Sequence, residues 1–528
     1  LRAPSYPQGV LPYPSGFIML MYSVRRLITA VFILFGASFL IYNLVAIAGD
    51  PLEELRTSTS PNKEALIAQR TEALDLDTPA PLRYFKWLGG VLGCFAGKCD
   101  FGQNLAGTPV TQLLSNAVYQ TLTLVVAATV LSILIGVSLG IISALRQYSG
   151  LDYTVTFASF LFFSLPSFWI AVLLKEFVAI GFNDFLRNPV VTIPTTLLIS
   201  VLAGLFWYSA SFGKQKTRYL MGLLGFAITA GAIIFVSTTK WFLTPFLGIP
   251  FMLPLGLGAA IIFTILVSGL RNRRALGAGL TMVIVGLAAY FPLQDLLDLA
   301  TMLMVVLITL AFMALGWIVG LLWGGYDKGQ GARVGMLTGL VMALLIIADR
   351  FMQAWPAYIS NSRIKGRPIP TANASTPNLQ GDFWILNTDT LTHILLPTIA
   401  LTLISLASYS RYSRASMLEI MNQDYIRTAR AKGVSERSVV MKHAFRNALI
   451  PLATIIAMDI GGIIGGAAIT ERIFAFKGMG TLFLDSLAHT DPNPVMGVFL
   501  LTGILALVFN LVADLLYSAL DPRVRVKA

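Results

Sequence analysis

The residues able to do chemistry are few. His393, His443 and His489 are the only histidines, and Cys94 and Cys99 the only cysteines, among 528 residues. No His-Glu-x-x-His or paired Cys-x-x-Cys pattern occurs, so no metal site is expected. A phosphate loop is absent too: the pairs Gly97-Lys98 and Gly213-Lys214 lack a following Ser or Thr and a Gly five residues earlier. The chain is therefore expected to have no catalytic residue, to bind no cofactor and to hydrolyse no ATP, and its histidines are too scattered for a membrane-embedded enzyme. Other charges lie inside apolar runs, where each costs about 2.5 to 3.5 kcal/mol at mid-helix. Lys175 and Glu176 either line a polar passage or sit near the outer end of a tilted span. Asp459, beside Gly461, Gly462, Gly465 and Gly466, either lines such a passage or marks a helix end. Asp514 falls one turn after Asn510, a spacing suited to an inter-helix hydrogen bond. Pro166, in the run Ser164-Leu-Pro-Ser-Phe168-Trp169, should bend its helix, as a gate element or as a packing kink.

The elements that carry these residues follow from composition. The chain is 56% hydrophobic and 12% charged with a formal charge of +12, which excludes a soluble protein. Its basic residues are dispersed between long apolar runs, so the excess reads as membrane orientation and not as nucleic-acid binding. A span needs about 20 apolar residues. Twelve stretches qualify, near 27–48, 116–143, 153–182, 191–209, 219–238, 246–270, 276–292, 299–323, 334–348, 392–410, 449–470 and 495–518. The loop charges test their direction. With Arg25 and Arg26 inside, Arg146, Lys214, Lys216, Arg218, Arg271, Arg273, Arg274, Lys328 and Arg333 all fall inside, whereas loop 50–109 has eight acidic against six basic residues. Both termini are expected in the cytoplasm. Residues 1–20 begin with Leu, contain four Pro and are read as a disordered or mis-set start.

The outside loop should be partly helical, for instance from Asn62 to Leu74, and an oxidising compartment would permit a disulfide between Cys94 and Cys99 or leave two free thiols. Residues 183–391 contain three spans that start alike, at Arg218, Arg274 and Arg333. These starts are 56 and 59 residues apart. Either a helical hairpin is repeated three times, or any inside-to-outside helix begins with Arg and tolerates Gly at its packing face. Asn373-Ala374-Ser375 is formally a glycosylation sequon.

Residues 411–450 differ from every other loop. They hold eight Lys or Arg and three acidic residues, with Leu418, Met421, Tyr425, Ile426 and Ala429 at helical spacing. The pattern predicts a helix ending at Gly433, then a second helix capped by Ser435 and stapled by Val434 and Val439, with Pro451 ending or kinking the approach to the next span. Ala429, Ala431 and Gly433 would form a narrow ridge open to close approach, flanked by basic side chains. Such an elbow is either a docking knob or a basic loop resting on anionic lipid.

The run Asp424-Tyr425-Ile426-Arg427-Thr428-Ala429-Arg430-Ala431-Lys432-Gly433, continued by His443 and Arg446-Asn447-Ala448-Leu449-Ile450-Pro451, resembles the coupling-loop motif of permease subunits in the dipeptide and oligopeptide family of ABC importers. Gly49-Asp50-Pro51, Gly97 to Gly102, Ser164 to Trp169 and Leu520-Asp521-Pro522-Arg523 are similar to that family in order and spacing. The likeness covers about residues 22–182 and 392–525. Two departures stand out: Glu is absent from the general permease motif, where Arg427, Thr428 and Ala429 stand, and an insert of about 209 residues replaces a short outside loop. The resemblance implies an all-α integral membrane protein with six family-like spans of the type I importer fold plus about six inserted helices. Its parts would be 1–20; a first span and outer loop, 21–110; permease core, 111–182 and 392–528, with a coupling helix at 416–447; and the insert, 183–391. It implies a non-catalytic subunit in a bacterial or archaeal plasma membrane, importing peptides. Asp424, Tyr425, Arg427, Thr428, Ala429, Ala431, Lys432 and Gly433 would couple it to two cytosolic ATPases that hold ATP and Mg. A second permease subunit and an extracytoplasmic solute-binding protein would complete the assembly. Pathway or gate candidates are Pro166, Phe168, Trp169, Lys175, Glu176 and Asp459. The alternative is a self-sufficient, ion-coupled secondary transporter.

Overall fold

A computed structural model describes residues 15–520 apart from 212 and 326. Most of the Leu520–Arg523 motif and the first 14 residues lie outside it. In order the helices are α1 (Ser15–Ala48), α2 (Glu53–Thr57), α3 (Lys63–Ala73), α4 (Ala80–Leu92), α5 (Val110–Leu145), α6 (Gly150–Ser164), α7 (Ser167–Leu173) and α8 (Gly181–Phe185). They continue as α9 (Ile193–Ala210), α10 (Gln215–Thr238), α11 (Gly248–Val267), α12 (Arg273–Leu297), α13 (Met302–Trp323), α14 (Lys328–Ser360) and α15 (Phe383–Met421). The last are α16 (Asp424–Ala431), α17 (Glu436–Ser438), α18 (Phe445–Gly466), α19 (Ala468–Ile473), α20 (Met479–Ala488) and α21 (Pro492–Leu520). Among the described residues eleven helices are long and apolar enough to span a membrane, and a bent pair makes a twelfth. The expected helix in the outer loop is α3. The protein is an all-α, multi-pass membrane protein.

The chain forms two compact units. The first comprises residues up to Leu174, Ala372–Ala374 and Ile394 onward. Its long helices meet closely: Gly136 and Gly140 of α5 lie against Leu406, Tyr409, Ser410 and Ser413 of α15, leaving no space for a β-carbon at Gly140. Beside them, Tyr84 and Trp87 of amphipathic α4 pack with Tyr42 of α1 and Met496 and Leu500 of α21, and the Tyr84 hydroxyl pairs with Ser38 (2.8 Å). Cys94 and Cys99 are joined as a disulfide in the turn after α4. Arg26 of α1 forms an ion pair with Asp514 of α21, the inter-helix role expected of Asp514. Pro166 breaks its helix outright. It stands between α6 and α7, which are bent by 104°, because proline has no N–H to give and disfavours a helical residue before it.

The second unit comprises Lys175–Thr371 and Ser375–His393. It is built from helical hairpins α9–α10, α11–α12 and α13–α14. In each hairpin the backbones approach where small residues meet: Gly204 with Gly222, Ala260 with Gly279, Gly316 with Gly335. The first members of these pairs are 56 residues apart each time, and the second members 57 and 56. This coincidence of contact and spacing favours the threefold repeat. Hairpins α11–α12 and α13–α14 share a core around Met282, Phe312, Met342 and Trp384. Asp349 of α14 accepts the Leu247 and Gly248 N–H groups at the start of α11 (2.7 and 3.0 Å).

Candidate functional site

Residues 416–447 turn through short helices and form an elbow whose shape differs from the one expected. α15 ends at Met421, and Gln423, in extended conformation (ψ 149°), starts α16 afresh, so the apolar pattern from Leu418 to Ala429 is two helices and not one. The second helix is a single turn, α17, followed by a π-helical stretch Val439–Ala444, and α18 continues through Pro451. Ala429 is not on the outer ridge: it packs inward against the apolar cluster beneath the elbow, while Ala431 and Gly433 are exposed.

That cluster is the root of the site. Ile426 is fully buried and meets Met417, Val439, Val440, Ala444 and Ala448. Burying an isoleucine side chain contributes about 1.5 to 3 kcal/mol, enough to fix one face of an eight-residue helix that would not persist alone. Gly433 takes the left-handed conformation (φ 75°), and Gly433 and Val434 return N–H groups to Arg430 and Ala429 (2.9 and 3.2 Å), closing the helix. Arg430 forks onto the Glu436 carboxylate (3.1 and 2.6 Å) and thereby holds that carboxyl below its usual range. Asn447 donates to the Tyr425 hydroxyl (2.8 Å), tying α16 to the first turn of α18. Asp424, Arg427, Thr428, Ala431, Lys432 and Gly433 are left on the surface, and nothing lies within 4 Å of the position a β-carbon on Gly433 would take.

Sequence reasoning missed the joints above the elbow. Asp152, at the start of α6, is buried and receives both Arg414 Nε (2.8 Å) and another guanidinium nitrogen (3.0 Å), as well as the Tyr148 N–H (3.1 Å); Ser143 donates to it as well. One turn earlier on α15, the Arg411 guanidinium lies 3.7 Å from the ring centre of Phe163, just before the Pro166 break. The sequence offered little to find them: Asp152 stands at the start of an apolar helix, and Arg411 and Arg414 are two among the eight basic residues of 411–450. Glu471 was also missed. It is fully buried on α19, accepts from the Thr121 hydroxyl of α5 (2.6 Å) and the Thr481 N–H of α20 (3.0 Å), and burial pushes its carboxyl up despite those bonds.

The pathway candidates fall in different elements: Pro166, Phe168 and Trp169 at the α6–α7 break, Lys175 and Glu176 in the stretch that follows it, and Asp459 in α18. Phe168 and Trp169 project from α7 and are exposed, and α7 packs against α19. Lys175 is half-buried and Glu176 exposed in a π-helical stretch, Leu174–Ile180. Asp459 is half-buried in α18, two turns from its end, beside the Tyr409 hydroxyl, so it does not mark that end.

The fold is thus an all-helical membrane subunit that raises one charged elbow on a buried apolar root. Residues 223–526, more than half of the chain, match the family described as the binding-protein-dependent transport system inner membrane component, and the chain belongs to that family. It is 24% identical over 509 residues to the oligopeptide transport system permease protein AppB of Bacillus subtilis (strain 168), covering 96% of this chain and 99% of that protein. It is similar also to the oligopeptide transport system permease protein OppB of Mycobacterium tuberculosis (strain ATCC 25618 / H37Rv), at 34% over 216 residues, 40% of this chain and 66% of that protein. The dipeptide transport system permease protein DppB of Escherichia coli (strain K12) is 43% identical over 139 residues, 26% of this chain and 41% of that protein.

Proposed function

We propose that this chain is a peptide-importing permease subunit whose α16 elbow is gripped by a cytosolic ATPase. The observation that carries the reading is the elbow: a short, mostly exposed helix with two arginines, fixed to the bundle by buried Ile426 and by the Tyr425–Asn447 bond. A surface loop resting on lipid needs no such root. Membership of the binding-protein-dependent family supports it, and the names of the peptide-transporting relatives supply the solute class.

Two ATPases, each holding ATP and Mg, grip this elbow and that of a second permease subunit, and an external binding protein delivers the peptide. The side bearing α16 and both chain termini faces the cytoplasm of a bacterium or archaeon. ATP favours one ATPase geometry, and the elbow transmits that preference. Force on α16 passes through a two-residue turn to α15. From α15 it reaches α6 through the Arg414–Asp152 pair and the Arg411–Phe163 stack, and so arrives at the break beside Pro166. Phe168 and Trp169 on α7 then move as gate elements, with Asp459 beside the path; Lys175 and Glu176 are the polar residues next in sequence.

Reconstitution tests the class. Liposomes holding the complete complex should take up peptide only with ATP inside and binding protein outside. Uptake by this chain alone, driven by an ion gradient, would establish the secondary-transporter reading instead.

A further inference from the structure

A folded block joins α18 to α21: α19, a tight turn and α20. Phe474 and Phe476 of the turn are buried, and the Phe476 N–H returns to the Glu471 carbonyl (2.8 Å). α20 begins without a cap of its own, since Gly478 has no side chain to offer the unpaired N–H groups of the first turn. Residues distant in sequence supply the acceptors. The Met479 N–H donates to the Thr121 hydroxyl of α5 (2.8 Å), that hydroxyl donates to Glu471 Oε1 (2.6 Å), and the Thr481 N–H donates to Glu471 Oε2 (3.0 Å). A carboxylate beside the first turn of a helix is favoured by the helix dipole as well. Two glycines permit this closeness: a β-carbon on Gly478 would strike the Glu471 carboxylate, and one on Gly480 would strike Ala468. Apolar side chains complete the seating, with Met479, Leu482 and Phe483 gathered against Val110, Leu114 and Ala117 of α5.

Resting on the permease reading above, we propose that this block is the fixed seat against which the α7 gate closes, and that Glu471 and Thr121 are the residues that position it. α7 starts at the Pro166 break and carries exposed Phe168 and Trp169, and α19 is the helix on which it mainly packs. One side of the gate is thus a seven-residue helix hinged at a proline. The other side is tied to α5 through the Thr121 hydroxyl and has no spare volume at Gly478 and Gly480. A movable leaf seals only against a face that does not give, and packing without voids supplies one. The donors and the carboxylate hold together or fail together, because each buried polar group that loses its partner is left with its full desolvation penalty.

A leak assay separates a seat from an ordinary structural clamp. Liposomes holding the complete complex are loaded with a radiolabelled tripeptide, and its efflux is followed without ATP and normalised to assembled complex. Thr121→Val keeps the shape of threonine and removes the hydroxyl. Glu471→Gln keeps the length, but one end of its amide is a donor where an acceptor is needed. Each should raise efflux at least fivefold, whereas Thr121→Ser, which retains the hydroxyl, should leave it at the level of the parent complex. Thr121→Val, the milder change, carries the test if Glu471→Gln does not assemble. The proposal is overturned if the assembled variants hold their tripeptide as tightly as the parent and uptake falls only in proportion to the complex formed. That result leaves the permease reading intact wherever the parent takes up peptide with ATP and binding protein; a parent that takes up none overturns both.

Discussion

The two units of this chain solve the same problem, holding apolar helices together in lipid, by different means. The unit bearing the elbow interrupts its helices. α6 breaks at Pro166, α15 breaks before α16, a π turn precedes α18, and its joints are polar: Asp152 with Arg414, Glu471 with Thr121, Arg26 with Asp514. Both units have a close seam of small residues, Gly136 and Gly140 on α15 in the first and Gly316–Gly335 with Gly320–Gly331 in the second, but the insert keeps α11 to α14 whole. Broken helices with directional bonds can occupy alternative arrangements, whereas glycine seams with no spare volume resist displacement. The first unit has the build of a moving part and the second that of a fixed one.

The contrast breaks most readily at the glycine seam. A β-carbon on Gly335 would fall 2.1 Å from the Gly316 carbonyl oxygen, so Gly335→Leu should force the helices apart at a cost of about 3 kcal/mol or more. Thermal unfolding in detergent should show a large loss for this variant; an unchanged transition would mean the seam is not tight. A step smaller, Arg414→Ala leaves the buried Asp152 carboxylate uncompensated, at a cost of about 3 kcal/mol. Adding Asp152→Asn should recover part of the stability but little of the transport, because the joint is still missing. If the double variant transports normally, the pair is not a force-bearing joint.

The smallest effect concerns the Arg430–Glu436 pair on the elbow. Glu436 is lowered by its partner, so the pair's contribution is complete above the ordinary glutamate pKa and is lost as pH falls through the depressed value. Both side chains are largely exposed, so the contribution is at most a few tenths of a kcal/mol and is screened by salt. Hydrogen exchange at Gly433 and Val434 should quicken slightly in Glu436→Gln, and less so in high salt; a large effect would show that the pair is shielded from solvent.

How much could be read beforehand follows the same division. Spans were legible because lipid demands long apolar runs, and the elbow was legible because it is the one loop both basic and amphipathic. Gly433 was placed by its conformational freedom and the Pro166 break by its missing N–H. The inward turn of Ala429 was not, since helical spacing continues across Met421 although the backbone does not. Asp152 and Arg414 are 262 residues apart, and no local pattern joins them. The repeat was visible only as similar Arg starts until the glycine contacts fell at a constant interval.

The most direct test replaces two exposed basic side chains of the elbow, one on α16 and one just after it, and leaves the buried root intact. In the reconstituted complex Arg427→Glu with Lys432→Glu should leave membrane insertion and thermal stability unchanged. Peptide uptake should fall at least tenfold, because the ATPase no longer grips the elbow. Uptake at the normal rate, from a complex with its ATPases bound as before, would contradict the account.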